Sequence, residues 1–217
     1  MPINLNGSTG AQVPLGSASA PSVSNTTNSN TGLYFPSGTT AAVATNGTLA
    51  LYADASQNIG VGTATPSYKL EVAGTAYFPG TTSSVGALFT DIAEVTTISA
   101  TAATGTINYD VTTQSVLYYT TNASANWTLN IRGNATTSLN TLMATNQTLT
   151  IAFLVTQGAT PYYASALTVD GASVTPKYQG GTAWTSGNAS GIDVYTYTIV
   201  KTASATYTVL ASQTQFK

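Results

Sequence analysis

Cysteine and histidine are both absent from this chain. That excludes thiol nucleophiles, Ser-His-Asp triads, Cys/His zinc sites and disulfide staples. What remains for acid–base chemistry is seven carboxylates: Asp54, Glu71, Asp91, Glu94, Asp110, Asp170 and Asp193. Glycosidic cleavage needs two of them about 5 to 10 Å apart across a cleft. Asp91 and Glu94 are the one pair close in sequence, and a solvated loop accounts for them. Asp170, followed by Gly171, reads as a turn residue. Gly60 and Gly62 superficially suggest a phosphate loop, but no helix follows and no lysine is placed to meet a phosphate, so they read as turn glycines. No catalytic residue, cofactor or metal ligand is assigned.

A second chemistry open to the chain is stacking. Tyr162, Tyr163, Tyr178 and Trp184 lie in or beside the Gly-rich run Gln179-Gly180-Gly181-Thr182. Aromatic rings on loops can stack on sugars, which makes these four the candidates for glycan contact. Packing in a core or between subunits is the stronger reading, because a low-charge β-sandwich needs large side chains. The thirteen tyrosines suit either role, with an apolar ring and a hydroxyl that reaches a partner.

Only 6% of the 217 residues are charged, against about 25% in an average soluble domain. Thr, Ser, Asn and Gly take their place, while 42% of the chain is hydrophobic, enough for a sizeable core. The five cations, Lys69, Arg132, Lys177, Lys201 and Lys217, are scattered singly and form no basic stripe. Nucleic acid and anionic membrane surfaces are therefore not expected partners. The longest strongly apolar run, Ile151 to Val155, is too short to span a bilayer. Met1 to Ala20 has neither a basic start nor an apolar core, so it does not read as a signal peptide. The chain is expected to be made in the cytoplasm and to reach any exterior location by assembly.

The elements that must position these residues are strands. Over residues 1–82 they are short: Leu33-Tyr34-Phe35, Leu49 to Tyr52, Ile59-Gly60-Val61 and Lys69 to Val72, separated by turn runs such as Asn25 to Gly32 and Ala44 to Gly47. Each carries two or three large side chains, too few for one copy to close a deep core. Short β-elements gain stability when neighbours supply the missing faces, and three intertwined chains would do so. Tyr34, Phe35, Ile59, Val61, Leu70 and Val72 are the candidates for that trimer packing.

Residues 83–217 alternate cleanly. Trp127, Leu129 and Ile131 fall on one face, as do Leu149, Ile151, Phe153 and Val155. Tyr195, Tyr197 and Ile199 alternate with Thr196, Thr198 and Val200, so both faces are expected to be partly covered there. Asp170-Gly171 between Val169 and Val174 signals a hairpin. Leu139, Leu142 and Met143 give the only helical spacing. Eight or nine strands predict an all-β sandwich, jelly-roll-like, joined to the short-strand N-terminal region near Gly80–Gly86.

The N-terminal third resembles a segment common in tail-fibre and related structural proteins of bacteriophages, especially those of marine cyanobacteria. The resemblance rests on Met1-Pro2-Ile3-Asn4-Leu5-Asn6-Gly7, on Asn30-Thr31-Gly32-Leu33-Tyr34-Phe35-Pro36, on Ala44-Thr45-Asn46-Gly47-Thr48, and most of all on the run from Asn58 to Thr75. In that run Gly60-Val61-Gly62-Thr63, Thr65-Pro66 and Lys69-Leu70-Glu71-Val72-Ala73-Gly74 are similar to the family pattern. The residues themselves read as a strand, a turn closed by Thr65-Pro66 and a return strand ended by Gly74. The resemblance implies a non-enzymatic, homotrimeric, β-rich virion protein. Many members continue into a self-cleaving chaperone with a Ser/Lys dyad, and nothing after Thr82 looks like one. A short fibre, a neck or tail appendage and a capsid decoration all fit, with other virion proteins as partners. A receptor-binding module for host surface polysaccharide is the alternative, and a polysaccharide depolymerase a third.

Overall fold

The computed structural model describes residues 4–6, 10–78 and 92–217. The Gly80–Gly86 boundary region and Asp91 lie outside the described residues. Chain contacts separate two compact units, Met1–Phe89 and Thr90–Lys217, and strands dominate both. The protein is all-β, as its alternation and turn chemistry predict.

In the first unit, β1 (Asn4–Asn6) and β2 (Gly10–Gln12) pair antiparallel. A six-stranded sheet follows in the order of the sequence: β3 (Val23–Ser24), β4 (Gly32–Ser37), β5 (Thr40–Thr45), β6 (Thr48–Ala53), β7 (Ile59–Val61) and β8 (Leu70–Val72). Asn46 and Gly47 take φ of 50° and 75° in the β5–β6 turn, the left-handed pair that a tight hairpin needs. The first five strands run as an antiparallel meander.

The last strand does not return, contrary to the reading of the Asn58–Thr75 run: β8 lies parallel to β7, pairing Ile59 with Leu70 and Val61 with Val72. Parallel neighbours usually need a dozen or more connecting residues. Residues 62–69 suffice here because the loop folds back on its own strand. A Cβ on Gly60 would lie 2.2 Å from the Thr63 carbonyl oxygen, so only glycine fits. The Glu71 carboxylate accepts from the Ser67 N–H at 2.7 Å, and Lys69 Nζ donates to the Ser56 carbonyl at 2.6 Å. Proline and glycine in the run signal a turn, but not the direction in which the chain leaves it, which these two hydrogen bonds help to hold.

The second unit is two sheets around one core, wound in an unusual way. Strands β9 (Thr96–Ala102), β11 (Val116–Thr121) and β13 (Thr148–Thr156) lie side by side in one sheet. Strands β10 (Gly105–Asp110), β12 (Trp127–Arg132) and β14 (Ala164–Val169) lie side by side in the other. All these pairings are parallel. The chain therefore crosses from sheet to sheet at every connection and completes three stacked coils, where a jelly roll would run antiparallel. Alternation reveals which face of a strand is buried and not which way its neighbour runs, so periodicity could not foresee the winding.

The coils are closed by antiparallel structure. The short β15 (Ala172–Ser173) folds back on β14 through Asp170-Gly171, the hairpin the sequence signalled. β16 (Lys177–Tyr178) runs alongside β18 (Thr206–Phe216), and β17 (Ile192–Ala203) forms a long hairpin with β18 while pairing antiparallel with β13.

Parallel, in-register stacking builds rows. Ile107, Leu129 and Leu167 form one, and Tyr109, Ile131 and Val169 the next. Leu117, Phe153 and Tyr195 face them from the other sheet, and all nine are buried. Trp127 packs edge-on against Phe153 and Tyr195 with ring centroids at 6.0 and 5.7 Å. On the outer side of β10, β12 and β14 the same stacking makes a polar row. Asn130 Nδ2 donates to Asn108 Oδ1 at 2.8 Å, while Asn130 Oδ1 accepts from the Thr168 hydroxyl at 2.8 Å and from the Gly171 N–H at 2.9 Å.

The one-turn helix α1 (Leu139–Leu142) falls on the predicted helical spacing. Its ends are held by charge: the Asp170 carboxylate accepts from the Leu139 and Asn140 N–H groups, and buried Lys201 donates to the Asn140 and Met143 carbonyls, both at 2.6 Å. An anion at the start and a cation at the end complement the helix dipole.

Candidate functional site: two uncharged surfaces

The six residues assigned to trimer packing do not share one face. Ile59, Val61, Leu70 and Val72 do, because β7 and β8 pair them directly. The register extends their face across the sheet: Val23, Leu33, Val43, Leu51, Val61 and Val72 are consecutive cross-strand partners. Ala41, Ala53, Ile59 and Leu70 form the adjoining row. Tyr34 belongs to the opposite face, where it is buried with Ala42 and Ala44 against Ala18, Leu49 and Tyr52. Pro66 in the β7–β8 loop is the only other fully buried side chain in the described part of this unit. Phe35 is half-buried, and its carbonyl accepts from the Gly16 N–H at 3.2 Å.

The four aromatic candidates separate as well. Tyr178 and Trp184 meet edge to face at 4.8 Å, and Trp184 continues onto Tyr195 at 5.1 Å. Trp184 Nε1 donates to the Ala164 carbonyl at 2.7 Å, so this tryptophan closes the end of the core and is not a free platform. Tyr162 is clamped through its backbone: its N–H donates to Gln157 Oε1 and its carbonyl accepts from Gln157 Nε2. The Tyr163 N–H donates to Asn126 Oδ1, and its ring stays outside the cluster.

Beside Tyr178 runs an open groove of about 450 Å³, lined by Lys177, Gln179, Thr196, Thr198, Leu210 and Ser212 with Tyr178 and Ala211. It adjoins a smaller depression of about 170 Å³ that Thr182, Trp184 and Gln213 help to line. An aromatic ring and an apolar floor ringed by amide and hydroxyl groups are what a neutral sugar needs. The sequence pointed to Tyr178 and Trp184 but missed the groove's other members. The outward threonines of the Tyr195–Val200 alternation were a visible signal, although the alternation does not say what lies beside them.

Five of the seven carboxylates are engaged by their own chain. Asp54 accepts from the Ser56 and Asn58 N–H groups, Glu71 from Ser67, and Asp170 from the start of α1. Asp110 forms an ion pair with Arg132 at 2.6 Å. Asp193 is fully buried and accepts from Gln157 Nε2 at 2.8 Å and from the Asn188 N–H at 3.1 Å, while its Oδ1 has no partner. Burial pushes its carboxyl above the usual range, against the pull of these hydrogen bonds. In Asp54 the Asn58 N–H leads in holding the carboxyl below that range. Among the described residues no cluster of His, Cys, Asp or Glu could hold a metal ion, and no helix is long and apolar enough to cross a membrane.

No protein-family model, curated protein or solved structure matches this chain at a significant level.

Proposed function

We propose that this chain is a non-enzymatic structural protein of a bacteriophage particle, working as a homotrimeric short fibre or surface appendage of the tail, neck or capsid. The observation that carries the reading is the interior of the first unit. A sheet must bury one face against another layer, and a cluster of three fully buried side chains, two of them alanine, backed by half-buried Ala18, Leu49 and Tyr52, is too little for a six-stranded sheet to stand alone. Identical partners supply the missing layer. The resemblance of Asn58 to Thr75 to fibre proteins supports the virion setting, and the engagement of five carboxylates in structural roles supports a part without catalysis. Light scattering on the purified chain tests the assembly: three times the 22.1 kDa chain mass is expected, and a stable single chain contradicts it. Copy number per particle separates decoration, at hundreds, from a tail or neck appendage, at a few tens.

The Tyr178 groove favours a second reading, adsorption to host surface polysaccharide. Its ring, amides and hydroxyls offer stacking and neutral hydrogen bonding. Tyr178→Ala and Ser212→Ala, made together, are expected to weaken binding of the assembled protein to host cells at least tenfold. Unchanged binding rejects the groove, and no binding by the unaltered protein leaves the structural role alone.

A further inference from the structure

The aliphatic face of the β3–β8 sheet is not covered by the described residues. Its ten residues are Val, Leu, Ile and Ala throughout, and the cross-strand pair Thr45–Thr48 borders them at the β5–β6 turn. Val23, Leu33, Leu51, Ile59, Leu70 and Val72 are each between 37% and 62% exposed. With strands about 4.8 Å apart and residues on one face about 7 Å apart along each strand, the patch covers roughly 340 Å². That is as large as the largest apolar patches ordinary monomers expose.

The sheet's edges point to association through the face. β3 is two residues long and β8 three, too short to template a further strand. The opposite side is already occupied by Tyr34, Tyr52 and Ala18.

We infer that this face is where copies of the chain join one another, with Leu70 of one copy seated in the depression floored by Ala41 and Ala53 of the next. The inference rests on the homotrimer reading and assigns its contact surface. Three observations select a second copy as the occupant. The ten side chains offer no charge or hydrogen-bonding group by which a chemically different partner would be chosen, and the Thr45–Thr48 pair stands only at their border. It holds both halves of a complementary pair. The depression between Leu33, Val43, Leu51 and Ile59 has a volume of about 210 Å³, and Leu70, at 62% the most exposed aliphatic on the face, stands at its far end. Finally, the partner present in matching amounts from the moment this face forms is the same chain.

The chain has no cysteine, so the contact can be trapped directly. In the full-length double variant Ala53→Cys/Leu70→Cys the two positions are separated by β7 and lie about 10 Å apart within one sheet. That is too far for a disulfide inside one chain. Mild oxidation is expected to give covalent multimers on a denaturing gel, while each single variant stays mostly single-chain. Leu51→Asp is expected to weaken association at least a hundredfold by sedimentation, and the milder Leu70→Ala about tenfold, with the tryptophan fluorescence of the second unit unchanged. A wild-type trimer that yields no covalent multimers and ignores both substitutions overturns the face and leaves the trimer reading standing. A wild-type dimer broken by Leu51→Asp keeps the face and sinks the trimer. A wild-type single chain overturns both.

Discussion

Both units are built of strands rich in alternating apolar and small polar residues, yet they bury their apolar side chains differently. In the second unit each connection carries the chain across to the opposite sheet. The buried side chains of β10, β12 and β14 therefore share one cluster with those of β11, β13 and β17 within the same copy. In the first unit the chain meanders within one sheet, so one face is lightly covered by neighbouring residues and the other by nothing described in the same chain. Crossing makes a fold that is complete in one copy. Meandering leaves a face open, which the proposed association would cover.

The largest expected effect lies in the self-sufficient unit. Trp127 sits between Phe153 and Tyr195 at almost zero exposure. Trp127→Ala should cost about 3–5 kcal/mol in denaturant unfolding of that unit while leaving the mass of the assembled protein unchanged. If the mass falls as well, the units are not independent and the contrast fails.

A smaller loss is expected at the polar row. Asn130→Ala leaves Asn108, Thr168 and the Gly171 N–H without their shared partner, at a cost of about 1–3 kcal/mol. Chemical denaturation followed by tryptophan emission reads this cleanly, because Trp127 and Trp184 are the only tryptophans in the chain and both lie in the second unit.

The smallest effects are in pH, where the two units should respond with opposite sign. Asp193 in the second unit has its carboxyl raised above the unfolded value of about 3.9. The fold therefore prefers it protonated. Its stabilising contribution is complete below pH of about 3.9 and is lost as pH rises through the raised value. Acidification from pH 7 toward 4 should raise the melting temperature of the second unit, and Asp193→Asn should remove that rise. Asp54 in the first unit has its carboxyl lowered, so its contribution is complete above about 3.9 and is lost as pH falls through the depressed value. Below pH 4 the Asp54–Asn58 turn should loosen, seen as faster amide exchange at Ser56 and Asn58.

Much of this contrast was legible before any coordinates. Alternation put Trp127, Leu129 and Ile131 on one face and Leu149, Ile151, Phe153 and Val155 on another, and all are buried except Leu149, which is partly buried. Asp170-Gly171 marked its hairpin, and Leu139–Met143 its single helical turn. The sparse apolar content of the short strands singled out the first unit as poorly filled. Two things were not legible. The parallel winding escaped because the coils differ in length: β10, β12 and β14 begin at Gly105, Trp127 and Ala164, so no fixed period appears. The sorting of Tyr34 from Ile59, Val61, Leu70 and Val72 escaped because it depends on register between strands that are distant in sequence. The Tyr178 groove was half visible. Its aromatics stood out, but its hydroxyls come from β17 and β18 and look like any outward threonine or serine.

The central claim is that the second unit folds within one copy and the first does not. Thermal unfolding of the full chain across a hundredfold range of protein concentration tests it, with tryptophan emission reporting the second unit and far-ultraviolet circular dichroism reporting all strands. Because binding stabilises in proportion to the logarithm of partner concentration, the account predicts a strand-loss transition that climbs with concentration. The tryptophan transition should stay fixed. Two transitions that both ignore concentration, or one that carries the tryptophans along as it climbs, would contradict it.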